Sequence, residues 1–143
     1  MRTAAERQLR LWRYTASGRA LCLDQRGLRV VVERPELSPA PGAPDWLTGA
    51  ANHHGRAIAV VDVNTLLGIG APLRQPPCVL LVESGGHILG LTADGPPLDF
   101  RADPFTRRGH VLEVADRRTD LLWIDLARLH TALADALAMH GAV

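Results

Sequence analysis

Hydrophobic residues along this chain come in short runs, broken by glycine, proline, serine or aspartate before they can develop a helical period. Runs at 8–12, 19–23, 28–32, 57–61, 79–83, 87–92, 111–114 and 121–124 read as β-strands bounded by turn residues. Ser84-Gly85-Gly86 lies between two of them, where glycine supplies the positive φ of a tight turn, so 79–83 and 87–92 are expected to form a hairpin. Only near the C-terminus does the period change. Leu126, Leu129, Leu133 and Leu137 recur at helical spacing and predict a helix with one core-facing stripe.

Proline divides these runs. Residues 35–44 hold Pro35, Pro39, Pro41 and Pro44, which cannot donate to a sheet, and read as a stiff connector across the surface. A second break, Leu73-Arg74-Gln75-Pro76-Pro77, fits a crossover between two subdomains. An internal echo points the same way. Val60-Val61-Asp62-Val63-Asn64-Thr65-Leu66 and Trp123-Ile124-Asp125-Leu126-Ala127-Arg128-Leu129 share an apolar pair, an aspartate and a following apolar stretch. Each reads as a buried strand ending at an aspartate that caps a helix, because the carboxylate accepts from amides left orphaned in the first turn. Gly68 can close the first of these helices.

Composition narrows the picture further. Hydrophobic residues make up 47% of the 143, but aromatics only 4%, so the core must be packed by Val, Leu, Ile and Ala. The length suits one compact domain, or two small barrels that share a core, with a polar tail at about 1–7. A formal charge of +1 argues against nucleic acid as a partner. Arg107-Arg108 and Arg117-Arg118 read as solvated loop charges. Cys22 and Cys78 stand singly in apolar surroundings, as buried thiols do. No apolar run is long enough to cross a bilayer, and the first residues lack a signal-peptide core, so a cytoplasmic protein without direct membrane insertion is expected.

Candidate chemistry is sparse. Asn52, His53, His54 and Asp62 could in principle build a general base or part of a metal site. Neighbouring side chains on a strand point to opposite faces, however, so His53 and His54 are not expected to chelate one ion. His87, His110, His130 and His140 are scattered, and no nucleophile elbow, P-loop or dinucleotide fingerprint occurs. The expectation is a protein with no catalytic residue, no cofactor and no metal. Asp62 and Asp125 read as structural caps, and Asn52 and Gly55 as turn formers.

The stretch Pro44-Asp45-Trp46-Leu47-Thr48-Gly49-Ala50-Ala51-Asn52-His53-His54-Gly55-Arg56-Ala57-Ile58-Ala59-Val60-Val61-Asp62, running on to Gly68, combines a small-residue strand, a tight polar turn and a second apolar strand. It resembles the signature of the CheW-like domain family, with the spacing kept throughout. The likeness extends from about Trp12 to about Leu133. It implies a mainly β fold of two small five-stranded SH3-like barrels, intertwined around a shared hydrophobic core, with a C-terminal helix, as a single domain over 1–143. It also implies a non-catalytic scaffold that couples the cytoplasmic tip of a chemoreceptor to the regulatory domain of a CheA-type histidine kinase in chemotaxis or pilus-motility signalling, cytoplasmic and recruited to membrane receptor arrays.

By the same resemblance, a groove between the lobes near Gly49, Ala50, Asn52, His54 and Gly55 would take the receptor helices. The edge strands of the first lobe, with Val30, Val32 and Glu33 and with Ile58 and Val60, would meet the kinase. Where the family usually has Leu-Arg before the turn glycine, this chain has His53-His54, so a titratable ring replaces a permanent, forked cation. Ala50-Ala51 replaces the usual Val-Ile, and Ala59 the usual proline. Two other readings stay open from the residues alone: a divergent β-barrel interaction module of an unrelated complex, and a small enzyme using the His/Asp turn.

Overall fold

A computed structural model describes residues 9–102, 112–116 and 121–139 of the chain. The expected N-terminal tail, both basic doublets, His110 and His140 lie outside these residues, as do the ends of the expected strands at Gln8 and Val111. Eleven strands are described: β1 (Leu9–Ala16), β2 (Arg19–Asp24), β3 (Leu28–Glu33), β4 (Leu37–Ser38), β5 (Leu47–His53), β6 (Arg56–Val61), β7 (Cys78–Ser84), β8 (His87–Ala93), β9 (Leu98–Ala102), β10 (Leu112–Asp116) and β11 (Leu121–Ile124). A short helix α1 (Val63–Leu67) follows β6, and a longer one, α2 (Leu126–Met139), follows β11.

The strands form two sheets. One has the order β10-β11-β2-β1-β9, and the other the order β3-β7-β8-β6-β5-β4. The fold is therefore mainly β with a C-terminal helix, as expected, although the second sheet carries six strands rather than five. The extra strand is β4, two residues inside what reads as a proline connector. Pro35 and Pro39 flank it and limit its length, because neither has an N–H to give to a ladder. A side chain at Gly49 would bring its Cβ to 2.6 Å from the Ser38 carbonyl oxygen, so β4 can lie on β5 only because residue 49 is glycine.

Strand alternation sorts the apolar residues into three clusters. Tyr14, Leu21, Leu23 and Ile124 from the first sheet meet Leu80, Val82, Leu89 and Leu91 from the second in a core shared by both, which Leu129 and Leu133 of α2 help to close. The opposite face of the first sheet gathers Leu11, Cys22, Leu121 and Trp123. That of the second gathers Ala51, Ile58, Val60, Val79 and Leu81, with Val30 and Val32 from one end of the sheet and Leu37 from the other packed on them. This is two curled lobes around a shared core.

Two expectations about connectivity need correction. The Leu73–Pro77 break joins α1 to β7, and both flanking strands, β6 and β7, belong to the second sheet. The chain instead changes lobe at the 3-10 turn Gln25–Gly27 and again between β8 and β9. Strand β6 is also not an edge: it runs between β8 and β5, so of the two strands expected at the kinase edge only β3 lies at the end of a sheet. Both, moreover, stand in the same sheet as the 79–91 hairpin.

The echo around Asp62 and Asp125 has a counterpart in pairing. Val60 and Val61 run parallel to Gly90 and Leu91, and Leu122 and Trp123 run parallel to Leu21 and Cys22. Each lobe thus gains a parallel strand pair from the strand that precedes the aspartate. Polar ties join the lobes: Asn64 Nδ2 donates to the Ala16 carbonyl at 2.7 Å, and Arg19 to the Ile69 carbonyl at 2.5 Å. The Asp94 carboxylate accepts from Ser17 N at 2.9 Å and Gly18 N at 3.0 Å in the β1–β2 turn.

Candidate partner-binding surfaces

The β5–β6 hairpin is closed by the pair His53 and Arg56, leaving His54 and Gly55 as a two-residue turn. Both turn residues have positive φ, +52° and +79°, the handedness that matches the twist of the flanking strands. Asn52 Oδ1 accepts from Gly55 N at 3.0 Å and fixes the turn from one side. His54 has therefore left the strand conformation, so the alternation rule does not separate it from His53. The two rings lie 4.1 Å apart between centroids, tilted by 57°. Among the described residues no group of three His, Cys, Asp or Glu is placed to hold a metal ion.

The five residues expected in the receptor groove divide by face. Gly49 is buried beneath β4, Ala50 is half-buried, and Asn52, His54 and Gly55 are exposed at the tip. None of them packs on the shared core. The half-buried apolar residues that do pack there are others, including Trp12, Val31, Trp46, Leu66, Leu67 and Ile69. The hairpin tip stands apart from these side chains, exposed at the end of β5 and β6. Trp46 and Leu66 belong to the same signature stretch, but only the folded structure shows that they pack on the shared core.

The residues expected at the kinase edge divide as well. On β3, Val30 and Val32 are half-buried and Glu33 is exposed. Ile58 and Val60 on β6 are 7% and 0% exposed and belong to the interior of the second lobe. They support the β3 face from within and cannot touch a partner directly. A cleft of about 520 Å³ opens beside β3, walled by Val32, Leu37 and Ala51 with Pro35, Glu36 and Asn52 around them. A second hollow of about 400 Å³ is lined by Pro35, Leu37, Pro39, Thr48 and Arg74. Both clefts are shallow and mixed in polarity. At the other end of β3, Arg29 Nε donates to Glu83 Oε2 at 2.6 Å, tying the edge strand to β7.

Asp62 and Asp125 occupy similar sequence positions but unequal surroundings. Asp62 is 2% exposed and accepts from Thr65 N at 3.0 Å, Thr65 Oγ1 at 3.3 Å and Leu73 N at 2.6 Å. It caps α1 and also anchors the loop beyond it, while Gly68, at φ +64°, ends the helix. Asp125 is half-buried, and its Oδ1 accepts from Arg128 N at 3.2 Å. The thiols are sheltered: burial pushes Cys22 up to about 12 against a smaller opposing pull from Arg13, and burial also raises Cys78. They sit in different clusters and remain free. Among the described residues no helix is long and apolar enough to cross a membrane.

Residues 10–97 match the family model of the CheW-like domain, well over half of the chain. The chain belongs to the CheW-like domain family. It is accordingly a non-catalytic domain of the scaffold type. Over 65 residues it is 35% identical to Protein PilI of Pseudomonas aeruginosa, covering 45% of this chain and 36% of that protein. Over 96 residues it is 23% identical to the chemotaxis protein CheW of Thermotoga maritima, covering 66% of this chain and 64% of that one. The matched parts thus span less than two thirds of either relative. In fold it is similar to the crystal structure of the scaffolding protein TtCheW from Thermoanaerobacter tengcongensis, with a TM-score of 0.63 at 20% identity, over 82% of this chain and 88% of that one. That CheW-like frame is what holds the β3 edge, the hairpin tip and the inter-lobe residues in fixed relation.

Proposed function

We propose that this CheW-like domain is an adaptor that couples the cytoplasmic tip of a chemoreceptor to the regulatory domain of a CheA-type histidine kinase, in chemotaxis or pilus-motility signalling. The observation that carries the reading is the edge strand β3, where Val30 and Val32 stand half-buried beside a cleft and Glu33 lies exposed. Such an edge offers backbone groups and apolar side chains to a second β domain. The kinase surface is Val30, Val32 and Glu33, backed from inside by Ile58 and Val60. The receptor surface combines the inter-lobe residues with the hairpin tip of Ala50, Asn52, His54 and Gly55, held by the buried Gly49. The whole chain acts as one domain, since the shared core draws on both sheets. It works in the cytoplasm, recruited to receptor arrays.

Calorimetric titration with the regulatory domain of the kinase from the same organism tests this. Saturable binding is expected, weakened at least ~5-fold by Val32→Asp, because charging a central interface residue costs more than ~1 kcal/mol. Absence of binding, or binding indifferent to Val32→Asp, would overturn the assignment of β3 and favour an interaction module of another complex.

A further inference from the structure

The imidazoles of His87 and His130 stack with centroids 4.6 Å apart and ring planes inclined by 30°. They come from different elements. His87 opens β8 on the face that continues through Leu89 and Leu91 into the shared core, whereas His130 follows Leu129 on α2. The stack therefore stands at the rim of the contact by which Leu129 and Leu133 hold α2 over that core. We infer that this histidine pair is a pH-operated latch, holding α2 down when the rings are neutral and loosening it when both are charged.

The surroundings leave the pair without compensation. On α2, the residues three and four positions from His130 are Leu126, Ala127, Leu133 and Ala134, none charged, while Asp125, Arg128 and Asp135 fall on other sides of the helix. On β7, the cross-strand neighbour of His87 is Ser84. Glu83 pairs across from Ile88 on the opposite face of the sheet and is engaged by Arg29 at 2.6 Å. Neither the helix neighbours of His130 nor the cross-strand neighbour of His87 is a carboxylate. Imidazole is the side chain whose charge changes between about pH 5 and 8, and two protonated imidazoles in this contact are two like charges side by side. At 4.6 Å, even with the full screening of water, their repulsion shifts the undocking equilibrium of α2 about fivefold. Loosening α2 uncovers Leu129 and Leu133 and the core face beneath them. If the adaptor reading holds, acid alters the inter-lobe surface offered to a receptor, but the latch itself does not depend on that reading.

Amide hydrogen exchange over 126–139 tests it on the full chain, compared at pH 8 and pH 5 after correction for the chemical exchange rate. Wild-type protection of α2 is expected to fall at least ~5-fold at pH 5 relative to β7 and β8. In His87→Gln the difference disappears, and in His87→Asp it reverses, since a carboxylate then faces a charged His130. An equal acid response in wild type and His87→Gln, or no response in wild type, overturns the latch. Neither result bears on kinase or receptor binding, so the two accounts fail separately.

Discussion

Replacement of the two echoing aspartates by alanine separates similarity of sequence from similarity of role. Asp62→Ala removes the acceptor of Thr65 N and, through its other oxygen, of Leu73 N at 2.6 Å, at a site only 2% exposed. Losing a helix cap costs ~0.5–2 kcal/mol. Leaving the part-buried Leu73 amide without its carboxylate partner adds ~1–3 kcal/mol. The sum, about 2–5 kcal/mol, is a large share of the ~5–15 kcal/mol that holds a domain of this kind together. Asp125→Ala loses one bond of 3.2 Å at a half-buried site where water can take over, so ~0.5–1 kcal/mol is expected. Asp62→Asn falls between them: its carbonyl can still cap α1, but the amide nitrogen then confronts the Leu73 N–H. Urea unfolding followed by the fluorescence of Trp12, Trp46 and Trp123 reads the series. With a slope of ~2 kcal/mol per molar, the midpoint falls by about 1–2.5 M for Asp62→Ala and by less than ~0.5 M for Asp125→Ala. Equal midpoints for the two alanine variants would refute the claim that Asp62 anchors a loop as well as a helix.

Three further outcomes follow from other parts of the structure. Gly49→Val drives a side chain into the Ser38 carbonyl and should displace β4, costing ~1–3 kcal/mol and weakening kinase binding more than Ala50→Val does; equal binding by both variants would separate β4 from the kinase surface. Asp94 is pulled upward by burial, but hydrogen bonds from Gly18 N, Ser17 N and the Thr15 side chain outweigh this and hold its carboxyl below the usual range. Its contribution is then complete above the unfolded value of ~3.9 and lost as pH falls through the lower folded value, so Asp94→Asn should destabilise at pH 7 but differ little from wild type in strong acid. A stability difference that does not shrink on acidification contradicts that. Cys22 should resist a thiol reagent in the native protein at pH 8 and react on unfolding, given the burial that pushes it up to about 12; rapid native labelling of Cys22 sets that burial aside.

Much of the fold was legible because its signals are local. The β7–β8 hairpin follows from two glycines between apolar runs, and the caps from an aspartate between a strand and a helix. Strand β9 carries a local signal too, since Leu98, Phe100 and Ala102 alternate with Asp99 and Arg101, but the two prolines just before it give the stretch the look of a loop. Strand β4 was not readable: two residues between prolines have no period, and they pair only because Gly49 lets them approach. The interior position of β6 was equally hidden. Its alternation of Ile58 and Val60 with alanines looks like an edge with one buried face, and only the parallel pairing with β8 places it inside the sheet. The candidate site suffered from the same gap. Residue types around the turn were visible, but the face each residue takes depends on a left-handed His54 and a crossing β4.

Coupling requires both partners to be held at once. Sedimentation of the kinase regulatory domain with a receptor-tip helical hairpin, each alone and then with this protein, tests that most directly. One complex containing all three is expected, with Val32→Asp losing the kinase and retaining the receptor. If the two partners displace one another from this protein, it binds them through one surface and is not an adaptor between them.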